Sequence, residues 1–243
     1  MSAAKPLVRF NVLAKNIENA RQILEETDGN VLIGLMVKSF PSVSEAVETI
    51  NAFQQANIPV SVGLGDGDPA QWKKVADVAA QTKPVHVNQI FPAAGYTLAC
   101  LQHADSSHTI VNALIAPSGI PGKVIVSTGP HSRAFSDPIS CDAAAAMLAD
   151  VGVTSVKFFP IQGTERLDEV EEMVRAAVRQ KITIFEPTGG INVRTIGQVI
   201  EACLQPGVEQ IIPHVYTAIV DKTTGYTRLE DIRALRQAVM ERL

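Results

Sequence analysis

The sequence predicts an α/β protein that folds as a single (β/α)8 barrel, and three observations lead to this prediction. Short apolar runs alternate strictly with amphipathic segments along the chain, and there are eight of each. The length of 243 residues suits one barrel of this kind. The first apolar run leads into residues 13–16, which contain no glycine, whereas an open doubly wound sheet would more often place a glycine-rich loop there. No repeat or linker is visible, so we predict one domain over residues 1–243.

The eight apolar runs are predicted to be parallel strands. Each is short and largely apolar on both faces, as expected for parallel strands that helices cover. They span residues 8–12, 31–37, 59–63, 84–88, 109–115, 154–158, 182–185 and 210–213.

The segments between the strands carry apolar residues at helical spacing. Clear examples are residues 16–27, residues 41–55 and a last helix that starts near Leu229. Another helix includes Leu167 and Val170, and Thr164 is predicted to cap its N-terminus.

One stretch is longer than a minimal barrel unit needs. Residues 116–133 read APSGIPGKVIVSTGPHSR, and residues 123–128 are predicted to form an extra short strand after the fifth. We therefore expect an elaborated loop after strand five at the C-terminal face of the barrel, where sites form in this fold.

Composition excludes several classes of protein. Hydrophobic residues make up 46% of the chain, which excludes disorder, and a net charge of −4 gives no general field for nucleic acid. Apolar runs fall short of the roughly 20 residues that a membrane span needs, and the N-terminus lacks the apolar stretch of a secretory signal. Cys100, Cys141 and Cys203 form no CxxC pair. We expect a cytoplasmic protein with reduced thiols and no membrane or nucleic-acid partner.

Barrels of this size usually associate, so we also expect a homo-oligomer, with the small-residue helix face 141–148 available for packing.

Lys157 is the most informative residue, because it ends an otherwise apolar strand at the face where barrel sites form. Desolvation lowers the pKa of a lysine, and the free amine can attack a ketone to form a Schiff base. The alternative is a structural lysine that pairs with a carboxylate such as Glu186 or reaches solvent. Position alone leaves both interpretations open.

A second signal follows the next strand, where Thr188, Gly189 and Gly190 form a turn. Two glycines allow backbone N–H groups to face an anion, and the following helix adds its positive end. The turn could therefore hold a carboxylate or a phosphate. An ordinary glycine turn between strand and helix is the alternative.

Together these segments carry a resemblance to a known family. The KFFP motif at 157–160 and the PTGGI motif at 187–191 resemble the paired signature of the 2-keto-3-deoxy-6-phosphogluconate aldolases, which are class I aldolases on a (β/α)8 barrel. More of the chain resembles the separate aldolase family that cleaves the same compound in bacterial glucosaminate catabolism. The segments that carry this second resemblance are residues 9–12, 36–41, 63–66 and 88–92.

The resemblance implies that Lys157 forms a Schiff base with the ketone of 2-keto-3-deoxy-6-phosphogluconate, which is then cleaved to pyruvate and glyceraldehyde 3-phosphate. Thr188 would hold the carboxylate, while Gly189 and Gly190 would donate N–H groups to the anion. The covalent mechanism needs no cofactor. The expected ligand is a small phosphorylated keto acid.

One departure from the better-known aldolases concerns the acid/base. Their second strand carries a glutamate and then an arginine, and residues 32–38 contain neither. Glu186 is our first candidate for the base, with a pKa raised by burial, although it could instead neutralise Lys157 or Lys38. Asp66 and His131 are weaker candidates.

Substrate contacts are expected from several strand ends. Lys38 could replace the missing arginine, and it would lower the pKa of Lys157 if the two were close. His214 is predicted to contact phosphate, because strands seven and eight commonly build that site. Gly65, Asp66 and Gln89 are also predicted to contribute, whereas Arg9 is predicted to be a structural charge.

One rival among enzymes is another phosphosugar lyase or isomerase that uses Lys157 only as an electrostatic clamp. Two further functions stay open from the sequence. In a class II-like, metal-assisted 2-keto acid aldolase, His86, His131 and His214 would meet Asp66 around a divalent ion, but no two of these histidines have ligand spacing. We therefore expect no metal. The other alternative is a non-catalytic barrel that binds phosphorylated sugars.

Overall fold

A computed structural model describes residues 5–243 and confirms the (β/α)8 barrel. Its parallel strands are β1 (Leu7–Val8), β2 (Phe10–Val12), β3 (Val31–Met36), β4 (Val60–Gly63), β5 (His86–Ile90), β6 (Ile110–Pro117), β9 (Ser155–Phe158), β10 (Ile184–Pro187) and β11 (Gln210–Ile211). Because β1 and β2 are two pieces of one extended segment separated by Arg9, the nine strands correspond to the eight that the sequence predicts.

The strands pair in the order β1-β11-β10-β9-β6-β5-β4-β3-β2, so the first segment joins both ends of the sheet. Within this segment, β1 pairs in parallel with β11 and β2 pairs in parallel with β3. A parallel bridge between Asn11 and His214 continues the closure towards the C-terminal end. Closure brings the carboxyl ends of all eight segments to one mouth.

Within residues 5–243, eight α-helices follow the strands and cover the outside of the barrel. They are α1 (Ile17–Glu26), α2 (Val43–Gln55), α3 (Trp72–Thr82), α4 (Ala94–His103), α5 (Cys141–Asp150), α6 (Leu167–Arg179), α7 (Ile196–Cys203) and α8 (Leu229–Met240). Side-chain oxygens cap the N-termini of three of them: Asn16 accepts from the Asn19 N–H at 2.9 Å, Ser42 from the Glu45 N–H at 3.2 Å, and Ser140 from the Ala143 N–H at 3.1 Å. The predicted cap at Thr164 is wrong, since α6 begins at Leu167 and Thr164 lies in the turn before it.

The main apolar core lies between the strands and the helices. Outward-facing strand residues such as Val156, Phe158 and Phe185 are almost fully buried there, and the two phenylalanine rings pack with their centroids 6.1 Å apart. The alternate residues, including Lys157 and Glu186, point into the barrel and are register partners on β9 and β10.

The elaborated loop after strand five is present. Its first strand, β7 (Lys123–Ile125), pairs antiparallel with the end of β6, so the extra strand predicted over 123–128 is confirmed but shorter. A further strand, β8 (Ile139–Ser140), pairs with β7. The carboxylate of Glu169 on α6 accepts the N–H groups of Ser118 and Gly119 at 2.8 Å each, which ties the loop to the barrel.

Several surface expectations can be compared with the structure. None of the helices within residues 5–243 has both the length and the apolar character that a membrane crossing requires. The three cysteines are free thiols. In α5, Cys141, Ala144 and Leu148 face the protein's own core, whereas Met147 is 47% exposed, so only one side of the segment predicted for subunit packing could contact another chain. Association between chains remains a prediction.

Candidate active site

Polar side chains fill the middle of the barrel, where a core of this kind would otherwise be apolar. They come from seven segments of the barrel wall and converge because alternate strand residues face inward. All are at most 3% exposed: Asn11, Ser61, His86, Asn88, Asn112, Ser155, Glu186 and His214.

Glu186 is the centre of this cluster. Its carboxylate oxygens accept from Nε2 of His86 at 2.9 Å, Nε2 of His214 at 2.7 Å, Nδ2 of Asn112 at 2.8 Å and Oγ of Ser155 at 2.5 Å. Burial by itself would raise the pKa of Glu186, but the two histidines and their hydrogen bonds hold it well below its usual value. The expectation that the pKa of Glu186 is raised is therefore wrong, and the group is a firmly ionised carboxylate.

The direction of the hydrogen bonds at His86 follows from Ser61. The Ser61 oxygen accepts from Nδ2 of Asn11 and Nδ2 of Asn88, both at 2.9 Å, and these bonds occupy both of its acceptor positions. The Ser61 hydroxyl must then donate to Nδ1 of His86, at 2.8 Å. His86 consequently carries its proton on Nε2 and donates it to Glu186.

The same reasoning shows which ring nitrogen of His214 carries the proton. Its Nε2 faces the ionised Glu186 and must carry a proton, while Nδ1 lies 3.0 Å from the hydroxyl of Tyr216. Burial, together with the positive charge of Lys157, lowers the pKa of His214 to about 3, so its imidazole is neutral and Nδ1 accepts the Tyr216 O–H. Tyr216 was not among the predicted site residues.

Lys157 lies at the carboxyl end of β9, as predicted. Its Nζ donates to Oδ1 of Asn88 at 3.2 Å. Burial lowers the pKa of Lys157 to about 8, and the charge of Glu186 opposes this shift. The predicted desolvation of this amine is confirmed.

A cavity of about 1120 Å³ opens above the buried cluster at the C-terminal mouth. Lys157, Thr188, His214 and Tyr216 line it, together with Phe159 and the rim residue Lys38. Glu186 lies behind this wall and is fully buried. The cavity therefore presents a desolvated amine, two hydroxyl groups and an imidazole to one ligand-sized space.

The turn after β10 has free backbone donors. Gly189 and Gly190 have φ values of 101° and 74°, and their N–H groups donate to no atom within the part of the chain that the structure describes. Thr188 is 5% exposed, and its hydroxyl donates to the Glu186 carbonyl oxygen at 3.2 Å. Anion binding by this turn stays a prediction, for which the two unpaired N–H groups provide donors.

Replacing Gly190 with alanine should disrupt this turn. A Cβ at Gly190 would lie 2.4 Å from the Gly163 nitrogen, and the φ of 74° is already unfavourable for alanine. We expect a loss of about 2–4 kcal/mol in the free energy of unfolding, measured by urea denaturation. Gly122→Ala is the matched control, because φ there is 80° but no atom lies within 4 Å of the added carbon. Equal losses in the two variants would show that close packing at Gly190 is unimportant.

Lys38 lies on the rim and not beside Lys157. Its ammonium pairs with Asp66 and Asp68, each at 3.7 Å, and its side chain is 47% exposed. Gly65 has a φ of 92° and packs against the Lys38 stem, where an added Cβ would lie 2.7 Å from Cβ of Lys38. The low pKa of Lys157 thus comes from burial, and repulsion by Lys38 is not needed.

Three other predicted roles do not match the geometry. Gln89 is among the residues around the cavity, but its side chain is fully buried and donates to the Trp72 carbonyl and to Thr97 at 2.9 Å each, so its amide protons are already used. Both ring nitrogens of His214 are engaged, which leaves no free N–H for a phosphate. His131 is exposed in the elaborated loop and is not part of the cavity wall.

The fourth predicted strand ends at residue 88, and the next residue, Gln89, is the one predicted to contact substrate. The structure continues this strand, β5, to Ile90, two residues beyond its predicted end. Asn88 therefore points inward with His86, and Gln89 points outward. Arg9, predicted to be structural, is half-buried, and burial lowers its pKa.

Three side chains lie close enough to one another to bind one metal ion. Ligand atoms of His86, Glu186 and His214 all lie within 4.8 Å of one another. Both Nε2–H groups already donate to the carboxylate, and Ser155 and Asn112 fill its remaining acceptor sites. An ion would have to displace both histidine protons and break these bonds. We interpret the group as a hydrogen-bonded cluster that does not fit a metal.

Comparisons with known proteins identify the family of the chain. The family model described as KDGP aldolase matches residues 4–223. A 2-dehydro-3-deoxy-phosphogluconate aldolase from Salmonella typhimurium is 42% identical over 233 residues, which cover 96% of this chain and 94% of that protein.

Solved structures give the fold alone. KGPDC from Streptococcus mutans has a TM-score of 0.59 at 13% identity, covering 97% of this chain and 98% of that chain. Orotidine 5'-monophosphate decarboxylase from Methanocaldococcus jannaschii has a TM-score of 0.60 at 15% identity, covering 97% and 99%. The family match and the Salmonella relative cover nearly the whole barrel, and on that evidence the chain belongs to the KDGP aldolase family of lyases.

Proposed function

We propose that this protein is a Schiff-base aldolase that cleaves 2-dehydro-3-deoxy-6-phosphogluconate to pyruvate and glyceraldehyde 3-phosphate. The observation that carries the proposal is the buried amine of Lys157, whose pKa of about 8 and position on the cavity wall suit a nucleophile. With that pKa, roughly a tenth of the amine is neutral at pH 7. Family membership favours catalysis over the binding-only alternative.

The proposed reaction starts with attack of the Lys157 amine on the C2 ketone and loss of water to give an iminium. The C4 hydroxyl then loses its proton, the C3–C4 bond breaks, and its electron pair moves into the iminium to form an enamine. Glyceraldehyde 3-phosphate leaves. Protonation of the enamine at C3 and hydrolysis of the imine release pyruvate and restore the lysine.

Substrate orientation comes from the two ends of the cavity in this proposal. The free N–H groups of Gly189 and Gly190, with Thr188 beside them, suit the carboxylate next to the reacting ketone. At the rim, Lys222 lines the same cavity and supplies positive charge for the phosphate, whereas Lys38 would have to exchange its pairs with Asp66 and Asp68 for a contact with the phosphate. We place the reaction in the cytoplasm, in the catabolism of sugar acids or amino-sugar acids, and expect no metal requirement.

Borohydride reduction in the presence of pyruvate tests the proposal. We expect one reduced pyruvyl adduct, mapped by mass spectrometry to the peptide that contains Lys157. The neutral amine is the nucleophile, so the trapping rate should rise as pH increases through about 8 and then level off.

The control for this experiment is Lys73, an exposed lysine on α3 away from the cavity. Lys73→Ala should trap pyruvate like the unmodified protein, and Lys157→Ala should not. A folded sample without any adduct, or with turnover that chelation removes and a divalent ion restores, would contradict the Schiff-base proposal and favour the metal-assisted alternative.

A further inference from the structure

The proposed reaction needs a group that takes the C4 hydroxyl proton and later returns a proton to C3. Glu186, the candidate from sequence, lies behind the cavity wall, and four donors occupy its oxygens. Thr188 donates its hydroxyl proton to the Glu186 carbonyl. Lys38 is held at the rim by Asp66 and Asp68. These neighbours are poorly placed to exchange a proton above Lys157.

Tyr216 is better placed. It follows β11 and lines the cavity that Lys157 also lines. Its ring meets the His214 ring edge-on, with centroids 5.5 Å apart and planes at 64°. Gly34 leaves room for that ring, because a Cβ there would lie 3.4 Å from Cε1 of Tyr216. Packing therefore holds the phenol against the imidazole.

The hydrogen bonds in this part of the barrel all donate in one direction, from Tyr216 to His214 and from His214 to Glu186. Glu186 accepts from Nε2 of His214, so Nδ1 of His214 accepts the hydroxyl proton of Tyr216 at 3.0 Å. The phenol oxygen keeps free lone pairs for a ligand hydroxyl in the cavity. This arrangement has the order of a catalytic triad: a carboxylate orients an imidazole, which accepts the hydroxyl proton of a residue that lines the cavity.

We propose that Tyr216 is the catalytic acid/base of the aldol step, with His214 as its proton acceptor and Glu186 as the residue that positions His214. The inference rests on the proposed Schiff-base function. In the cleavage direction, the C4 hydroxyl proton moves to the Tyr216 oxygen as the Tyr216 proton moves to Nδ1 of His214. The C3–C4 bond breaks in the same step, and its electrons form the enamine.

Charge balance supports this assignment. The iminium loses its positive charge when it becomes the enamine, and His214 gains one when it becomes an imidazolium beside ionised Glu186. The buried site therefore keeps the same net charge, which avoids the cost of a new uncompensated charge in a low-dielectric interior. The resting pKa of His214, about 3, is lowered by burial and by the positive charge of Lys157, and the second contribution is lost when the iminium becomes a neutral enamine. After the aldehyde leaves, the proton returns through Tyr216 to C3, and every group regains its starting state.

Tyr216→Phe is the variant that tests the assignment, since it removes the hydroxyl and keeps the ring. Three quantities are measured with it: borohydride trapping of pyruvate on Lys157, exchange of pyruvate C3 hydrogens in D₂O, and cleavage of the phosphorylated keto acid. We expect trapping within about twofold of the unmodified protein. Cleavage kcat and C3 exchange should each fall about 10²- to 10⁴-fold, the usual contribution of a general acid/base.

Tyr226→Phe is the matched control. Tyr226 is 41% exposed, accepts a hydrogen bond from Asn16, and does not line the cavity. The Tyr226→Phe substitution should leave all three quantities unchanged. The assignment is overturned if Tyr216→Phe keeps cleavage and exchange within about threefold, or if it abolishes trapping as well. Failure of the unmodified protein to trap pyruvate would instead overturn the Schiff-base function itself, and the inference with it.

Discussion

Replacing Lys157 with alanine should lower kcat for cleavage of the phosphorylated keto acid by roughly 10⁴- to 10⁶-fold, the scale seen when a covalent nucleophile is removed. The reason is that no other amine is held at this place in the barrel within the part of the chain that the structure describes: Lys38 stands on the rim, paired with Asp66 and Asp68. Steady-state kinetics measure the loss, and calorimetric titration with the same keto acid measures binding.

The fold should tolerate this change. Burial of the amine is unfavourable, as its pKa of about 8 indicates, and Oδ1 of Asn88 still accepts from Asn112 at 2.9 Å when the lysine is gone. Lys157→Met keeps the side-chain volume as a second variant, and Lys73→Ala is the control. Binding that survives the loss of turnover supports chemistry at Lys157, whereas loss of both supports an electrostatic clamp.

The fold and the position of Lys157 could be predicted because the sequence patterns that indicate them are local. Alternation of apolar runs with helical patterns determines the barrel, and the KFFP and PTGGI motifs lie at the carboxyl ends of neighbouring strands, β9 and β10. The predicted ends of the strands are less accurate. Extending β5 to Ile90 moves Gln89 to the outside of the barrel, since side chains alternate along a strand.

The hydrogen-bonded cluster could not be assembled from sequence in the same way. Its members come from seven chain segments, and the roles of Glu186, His214 and Tyr216 depend on which atoms meet once the barrel closes. Burial alone suggested a raised pKa for Glu186, because the donors that lower it are far away in sequence. A usable signal did exist: Asn11, Asn112 and other polar residues interrupt strands that are otherwise apolar.

Glu186→Gln should cost about 3–5 kcal/mol in the free energy of unfolding at neutral pH, measured by urea denaturation. The glutamine would turn an N–H group towards His86 or His214, both of which must donate, so buried donors would lose their acceptor.

Because the pKa of Glu186 is lowered on folding, its ionised form contributes stability above the unfolded value of 4.5. This contribution declines as pH falls towards the folded value, so the difference between the variant and the unmodified protein should narrow in acid. Glu201→Gln is the matched control: its exposed pair with Arg242 at 3.1 Å should be worth no more than about 1 kcal/mol. Two outcomes would mean that Glu186 is not the ionised hydrogen-bond acceptor at the centre of the barrel. One is an equal loss of unfolding free energy in the two variants, and the other is a loss in Glu186→Gln that does not change with pH. Tyr216 and His214 would then lack the fixed proton direction on which their proposed roles depend.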